Sequence, residues 1–322
     1  MISAWLAAAL LLPAGAVLAS GLSRRAAESA HPPLGERIRL GERTVHVVER
    51  PGSDPAAVPI VFVHGASGNA RDPMLAFAAA FPRHRLIFFD RPGHGWSTRH
   101  GPQDASPTVQ ARVVAEILAQ RGIERAIVVG HSWGGSVAAA FGVHHGERAA
   151  GLVFLAPASH PWPGAVIDIL YRISAAPIVG TVLDSLIVPT VGRLIVDKSI
   201  VGVFAPDPVP PDYRRTIGID LVLRPGEWRA NAEDVYRLHA HVSELAPRYP
   251  EITTPTLILS GTHDPIVRAD IHAEGLAKDI AGSRLVWLDD IGHMPHHAAR
   301  DRVIVEIESL IGEIEAPSRS RR

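Results

Sequence analysis

Three residues far apart in the chain have the types that together perform acyl transfer: Ser132, Asp264 and His293. A serine hydroxyl attacks a carbonyl only when a base removes its proton, and an imidazole serves best when a carboxylate orients it. Ser132 stands in Gly130-His131-Ser132-Trp133-Gly134, a Gly-x-Ser-x-Gly pattern, with Gly135 after it. The pattern follows the apolar run Ala126-Ile127-Val128-Val129 and precedes Val137-Ala138-Ala139-Ala140-Phe141. A strand, a tight glycine turn and a helix are the setting in which a serine is thrown out at the top of a sheet, and Gly130 and Gly134 are the small residues such a turn needs.

The other two members stand in the order this arrangement requires, serine then acid then histidine. Asp264 follows the apolar run Thr256–Leu259, and His293 follows Leu285–Leu288, each in a glycine-containing turn. The spacing predicts that three strand ends bring the three side chains together. A fourth strand, Ile60–Val63, leads into His64-Gly65-Ala66-Ser67-Gly68. This loop is expected to supply one oxyanion donor, the Ala66 N–H, with the Trp133 N–H as the second; His64 and Gly65 support the loop.

These residues need a frame, and the chain alternates accordingly. Glu36–Leu40 and Arg43–Glu49 read as a hairpin about Gly41-Glu42. Ile60–Val63, Leu86–Phe89, Ala126–Val129, Leu152–Leu155, Thr256–Leu259 and Leu285–Leu288 are short apolar strands. Helical patterns fall between them at 70–81 and 108–121, after Ser132, and at 269–280 and 302–314. Fully apolar strands alternating with helices predict an α/β fold, a mostly parallel sheet covered on both faces. The interval 159–250 is too long for a loop and is expected to be a helical lid inserted after the sixth core strand, over the carboxyl ends of the strands. The expected organisation is an apolar segment (1–23), a linker (24–35), the first core part (36–158), the lid (159–250), the second core part (251–314) and a basic tail (315–322).

The stretch from Glu36 to Ile314 resembles the α/β-hydrolase superfamily. It is most similar to the branch holding epoxide hydrolases, haloalkane dehalogenases, proline iminopeptidases and carbon–carbon bond hydrolases. Asp90-Arg91-Pro92-Gly93-His94-Gly95-Trp96-Ser97 matches that branch's turn after the fourth strand, and the resemblance implies a structural role for Asp90. The chain departs from part of the branch in an informative way. Epoxide hydrolases and dehalogenases use an aspartate nucleophile where this chain has Ser132, and epoxide hydrolases tend to carry proline where it has Ser67. Serine forms acyl-enzymes, so the resemblance implies hydrolysis of an ester, thioester or amide. Carbon–carbon bond hydrolysis and proline-iminopeptidase action remain alternatives on the same three residues, and a non-catalytic binding protein is a third. An iminopeptidase needs acidic residues for the substrate amine; Glu227, Glu233, Asp234 and Glu244 are available in the lid.

Composition narrows the rest. The 322 residues suffice for one large domain with an insertion, and 47% hydrophobic against 20% charged residues fits a sizeable core. A formal net charge of −1 gives no field that steers nucleic acid. With no cysteine, disulfides and thiolate chemistry are excluded. No phosphate loop or dinucleotide fingerprint occurs, so no cofactor is expected and the partner is a small-molecule substrate. The pairs His144-His145 and His296-His297, and His239-Ala240-His241, lack a third ligand at metal-binding spacing and read as surface or helix-end residues, so no metal is expected.

Ile2–Leu22 carries no charge and reads as a membrane anchor, with Arg24 and Arg25 after it, or as a cleaved signal with Val17 and Ala19 before a cut near Ser20. The first reading expects a membrane-anchored protein, the second a secreted or periplasmic one. The lid segments Ile167–Leu170, Val182-Leu183, Leu186–Val188 and Leu194–Val196, with Trp162, Tyr171 and Trp228, form an aliphatic acyl pocket or pack on the core.

Overall fold

The structure, a computed structural model, describes residues 2–163, 169–186 and 188–316, leaving aside the side chains at 2–14, 16 and 190. Ile167, Asp168 and Ile187 of the expected lid, residues 317–322 of the expected tail and most side chains of the expected anchor lie outside the described residues.

Eight strands form one sheet: β1 (Glu36–Leu40), β2 (Arg43–Arg50), β3 (Ile60–Val63), β4 (Leu86–Phe89), β5 (Ala126–His131), β6 (Ala149–Leu155), β7 (Thr256–Gly261) and β8 (Arg284–Leu288). Their spatial order is β1-β2-β4-β3-β5-β6-β7-β8. The β1–β2 hairpin pairs antiparallel, and so does β2 with β4. From β4 to β8 every pairing is parallel. Strands β3 to β7 are buried at every residue, which is why they read as unbroken apolar runs rather than alternating ones. At the far edge, β8 has one covered residue, Leu288.

Helices α1 (Ile2–Ala30), α2 (Arg71–Phe77), α3 (Pro107–Gln120) and α4 (Trp133–His144) precede the insertion. The insertion holds α5 (Ile169–Ser174), α6 (Val179–Leu186), α7 (Arg193–Phe204), α8 (Tyr213–Thr216) and α9 (Pro225–Leu245). Then follow α10 (Ala269–Asp279), α11 (Pro295–Ala298) and α12 (Arg300–Glu315). One helix differs from its sequence pattern: 70–81 reads as one helix, but α2 ends at Phe77. Pro82 disfavours helical geometry in Phe81, and Phe81 turns inward onto Phe62 and Phe77.

Two apolar layers cover the sheet. On one face α3 and α4 pack Val114, Ile117, Val137 and Phe141 against Val61, Val128 and Phe154. On the other, α2 and α12 pack Phe77, Val303 and Ile307 against Phe62, Val129 and Leu257. A third cluster lies within the insertion and includes Val196, Phe204, Tyr213 and Ile217. It also takes in Met294, from the loop after β8, so the insertion's core reaches the strand ends.

Among the described residues, no helix is long and apolar enough to cross a membrane. Helix α1 runs unbroken through Ser20 and joins the body of the protein at its C-terminal end. Glu28 pairs with Arg224 at 3.2 Å, and the His31 carbonyl accepts from the Trp96 indole at 3.0 Å.

Candidate active site

At the end of β5 the chain turns so tightly that Ser132 takes φ 50° and ψ −117° before α4 begins. A Cβ on Gly130 would lie 2.3 Å from the Gly134 carbonyl oxygen, and one on Gly134 would lie 2.3 Å from that of Val63. Only glycine fits at either position, which fixes the motif sterically. Left-handed geometry at a non-glycine residue is strained, and the turn holds it because β5 and α4 are both buried.

The Ser132 hydroxyl lies 2.9 Å from Nε2 of His293. The Nδ1–H of His293 donates to Oδ2 of Asp264 at 2.7 Å, which leaves Nε2 free to accept the serine proton. Asp264 is itself fixed: its Oδ1 accepts from the amides of Ile266 at 2.8 Å and Val267 at 2.9 Å. The side chains of His293 and Asp264 are 4% and 1% exposed, so their bond is sheltered from water. The structure thus brings the ends of β5, β7 and β8 to one place.

The loop after β3 lies over the serine: a Cβ on Gly65 would fall 3.2 Å from Ser132 Cβ. Neither the Ala66 amide nor the Trp133 amide donates to a protein acceptor among the described residues. The next amide is committed, since Ser67 N–H donates to Asn231 Oδ1 at 2.6 Å and Asn231 returns a bond to the Ser67 hydroxyl at 3.0 Å. His64 donates from Nδ1 to the Gly65 carbonyl at 2.8 Å and accepts the Arg91 amide at 3.0 Å. Asp90 is also structural, accepting from the His46 ring and from the amides of Ala70 and Trp96.

Sequence reasoning did not assign Arg91, yet it holds both loops. Fully buried, it donates to the carbonyls of His64 at 3.0 Å and Gly65 at 3.1 Å, and its guanidinium lies 4.1 Å from the Trp133 ring centroid. Its charge is met by Asp234 of α9 at 2.6 Å. Burial alone would raise the carboxyl of Asp234, but Arg91, His94 and Arg99 hold it far below its usual range. The Trp133 indole donates to the Asp234 carbonyl at 3.0 Å. Helix α9 is therefore a strut beneath the site.

That strut accounts for three of the acidic residues considered for amine binding. Glu227 is tied to Arg224 and the Gly95 amide, Glu233 to Arg99 and Arg229, and Asp234 to Arg91 and His94. Glu244 is exposed. None of the four lines the cavity beside Ser132.

His296 and His297 lie at the end of the short helix α11 but are not surface residues, so of the sequence reading the helix-end half holds and the surface half does not. Both are buried in side chain and converge on Asp72, from Nε2 at 3.2 Å and 2.8 Å. The third partner of Asp72 is the Tyr213 hydroxyl at 2.8 Å. A metal-binding pattern was invisible because the residues come from three separate elements. Asp72, His131 and His296 place one donor atom each within 4.8 Å of one another. His131 Nε2–H donates to the His293 carbonyl at 2.9 Å and the Asp72 carboxylate has its three partners, while the buried Nδ1 atoms of His131 and His296 have no partner among the described residues. Burial lowers His131 well below the usual imidazole range and brings His296 down to about 4, so both rings are neutral at pH 7. The remaining histidines, 144, 145, 239 and 241, are exposed or half-buried.

A cavity of about 670 Å³ opens from Ser132, His293 and Ala66 into the insertion. Its far wall is aliphatic and aromatic, with Leu170, Val196, Ile200, Phe204, Leu223 and Trp228. Trp162 and Tyr171 line it as well, so these two aromatic residues belong to the pocket.

Comparison with known proteins shows the family and the fold. The profile described as the alpha/beta hydrolase family matches residues 60–306. A 2-hydroxy-6-oxo-6-phenylhexa-2,4-dienoate hydrolase of Comamonas testosteroni is 29% identical over 226 residues, 65% of this chain and 71% of that protein. An esterase of Thermogutta terrifontis superposes with a TM-score of 0.69 at 21% identity, covering 87% of this chain and 99% of that one. A bacterial membrane phospholipase A superposes with a TM-score of 0.69 at 19% identity, covering 98% of this chain and 97% of the other.

Proposed function

We propose that this chain, which belongs to the alpha/beta hydrolase family, is a serine hydrolase that cleaves carboxylic esters with a hydrophobic acyl group. The observation that carries the reading is the bond series from Ser132 to His293 to Asp264 at the mouth of an apolar cavity. In this reading Ser132 Oγ attacks the ester carbonyl while its proton passes to His293 Nε2. Asp264 holds the ring and stabilises the imidazolium. The Ala66 and Trp133 amides receive the oxyanion, a contribution of about 10²–10³ in rate per donor. His293 then protonates the leaving alcohol, and water activated by the same nitrogen releases the acid.

The cavity favours an uncharged acyl group. Among its described lining residues the one arginine is Arg268, which is paired with Asp270 at 2.5 Å. A dienoate of the kind named for the Comamonas relative carries a carboxylate, for which this wall offers no unpaired arginine or lysine. An amine would need a free carboxylate, and the lining carboxylate, Asp72, already has three partners. The fold neighbours named as an esterase and as a phospholipase act on ester bonds, in line with this choice.

A membrane location is the reading we propose for α1. The uncharged stretch Ile2–Leu22 belongs to the same helix as Glu28, which Arg224 holds, and the insertion beside it exposes Ile178 (80%) and Leu194 (83%). In this reading the segment holds the enzyme at a membrane with those side chains toward the lipid. Carbonate-resistant membrane association that is lost on removal of residues 1–23 supports it, and association that survives the truncation contradicts it.

Turnover of a panel of p-nitrophenyl esters, a dienoate diketone and a prolyl anilide tests the substrate reading. Ester turnover abolished by Ser132→Ala supports it; turnover of the diketone or the anilide alone overturns it.

A further inference from the structure

Asp72 is the first acidic residue of α2, far in sequence from Ser132, Asp264 and His293. Its carboxylate lies where three elements meet. From the insertion comes Tyr213 of α8, bonded to Oδ1 at 2.8 Å. From the segment after His293 come His297, on the same oxygen at 2.8 Å, and His296, on Oδ2 at 3.2 Å. The third element is α2 itself, which belongs to the sheet's core layer. A buried carboxylate with three donors and no bulk water is strongly specified in position.

The same segment carries the base. His293 lies three and four residues before His296 and His297, and α11 begins two residues after it. His131, the residue before the nucleophile, grips the His293 carbonyl and packs against His296 at a tilt of 55°, with ring centroids 4.4 Å apart. On the other side, the Gly292 amide donates to Asp207 of the insertion at 2.7 Å. The base is thus suspended between the core and the insertion, through bonds on both flanks.

The cavity reaches this suspension directly. Phe204, Tyr213 and Met294 all line it. Tyr213 packs edge-on to Phe204 at 4.8 Å and to His297 at 5.3 Å, so a chain seated on this wall presses on the ring whose hydroxyl holds Asp72.

We propose that Asp72 and Tyr213 are positioning residues that couple occupancy of the acyl cavity to the placement of His293. The proposal rests on the reading of Ser132 as nucleophile and His293 as base. An acyl chain long enough to reach Phe204 and Tyr213 steadies α8; α8 steadies Asp72; and Asp72 fixes the start of α11 and with it the imidazole. A short acyl group leaves that wall empty and gains nothing from the connection. Selectivity for long chains then appears in the rate of the chemical step as well as in binding.

The test uses alkyl fluorophosphonates, one with an ethyl and one with a dodecyl chain, on the full chain. The maximal inactivation rate and the half-saturating concentration are measured for wild type, Tyr213→Phe and Asp72→Asn, with Arg214→Ala as a control in the insertion away from the cavity. Tyr213→Phe keeps the ring and removes one hydroxyl. The expected result is a fall of about tenfold in the maximal rate with the dodecyl probe, the scale of one hydrogen bond to a charged acceptor. Its half-saturating concentration and the ethyl rate stay unchanged. Asp72→Asn behaves alike or more severely, and if it does not fold, Tyr213→Phe decides alone. A change confined to half-saturation, an equal fall for both probes, or no change overturns the coupling. Failure of wild type to react with either probe instead removes the nucleophile reading on which the coupling rests.

Discussion

Asn231 and Ser67 exchange two hydrogen bonds, the Ser67 amide to Asn231 Oδ1 at 2.6 Å and the Asn231 amide group to the Ser67 hydroxyl at 3.0 Å. Asn231 is fully buried on α9, and Ser67 has a positive φ of 54° in the loop that carries Ala66. The pair holds the loop in a conformation that a serine would otherwise leave. Asn231→Ala is therefore expected to lower kcat by about tenfold or more with little change in KM, because the strained loop relaxes and the Ala66 amide moves off the oxyanion position. Steady-state kinetics on a p-nitrophenyl ester checks this; a rise in KM alone would assign Asn231 to substrate binding instead.

The ion pair of Arg91 and Asp234 is completely buried, with both side chains 0% exposed. Removing one partner leaves a charge in a low-dielectric interior. Asp234→Ala is expected to destabilise the fold by about 3–5 kcal/mol. Urea unfolding followed by tryptophan fluorescence measures it, and a loss below 1 kcal/mol, the range of an exposed pair, would show that Arg91 is solvated by its carbonyl partners alone.

Acid and alkali act on different parts of the molecule. Asp72 and Asp234 have carboxyls held below their usual range by His296 and His297 in one case and by Arg91 in the other, against the opposing effect of burial. A depressed folded pKa gives stability that is present above the unfolded value, near pH 4, and is lost as pH falls below it. Asp184 of α6 has the opposite sign: burial raises it to about 6. Its contribution is lost as pH rises from about 4 through 6. Hydrogen exchange in α6, corrected for intrinsic rates, is expected to quicken between about pH 4 and 6 in wild type and to stay level in Asp184→Asn.

Much of this site was legible because its logic is local. Each of Ser132, Asp264 and His293 follows within five residues a strand rich in consecutive apolar residues, and the glycine turns beside them have a steric cause visible in the sequence. The insertion was legible as a length, from the gap between Leu155 and Thr256. What sequence did not show is pairing across elements. Arg91 with Asp234, Asn231 with Ser67, and Asp72 with Tyr213, His296 and His297 join segments 140 or more residues apart, and no periodicity marks them. His296 and His297 misled for a physical reason. Adjacent histidines in a short helix after a turn look exposed, and only the approach of α2 and α8 buries them.

The cavity gives a graded prediction. Each methylene buried on the Phe204 and Ile200 wall contributes about 0.8 kcal/mol, a factor of about four. Over a p-nitrophenyl ester series, kcat/KM is expected to climb by that factor per added methylene until the cavity is filled. A flat series would place the acyl group outside the cavity.

The central claim is that Ser132 attacks the substrate with His293 as its base. Mass spectrometry after fluorophosphonate treatment tests it most directly. The account predicts a single adduct on the peptide carrying Ser132 in wild type, none in Ser132→Ala, and a labelling rate lowered by orders of magnitude in His293→Ala. An adduct elsewhere, or equal labelling of wild type and Ser132→Ala, would contradict it.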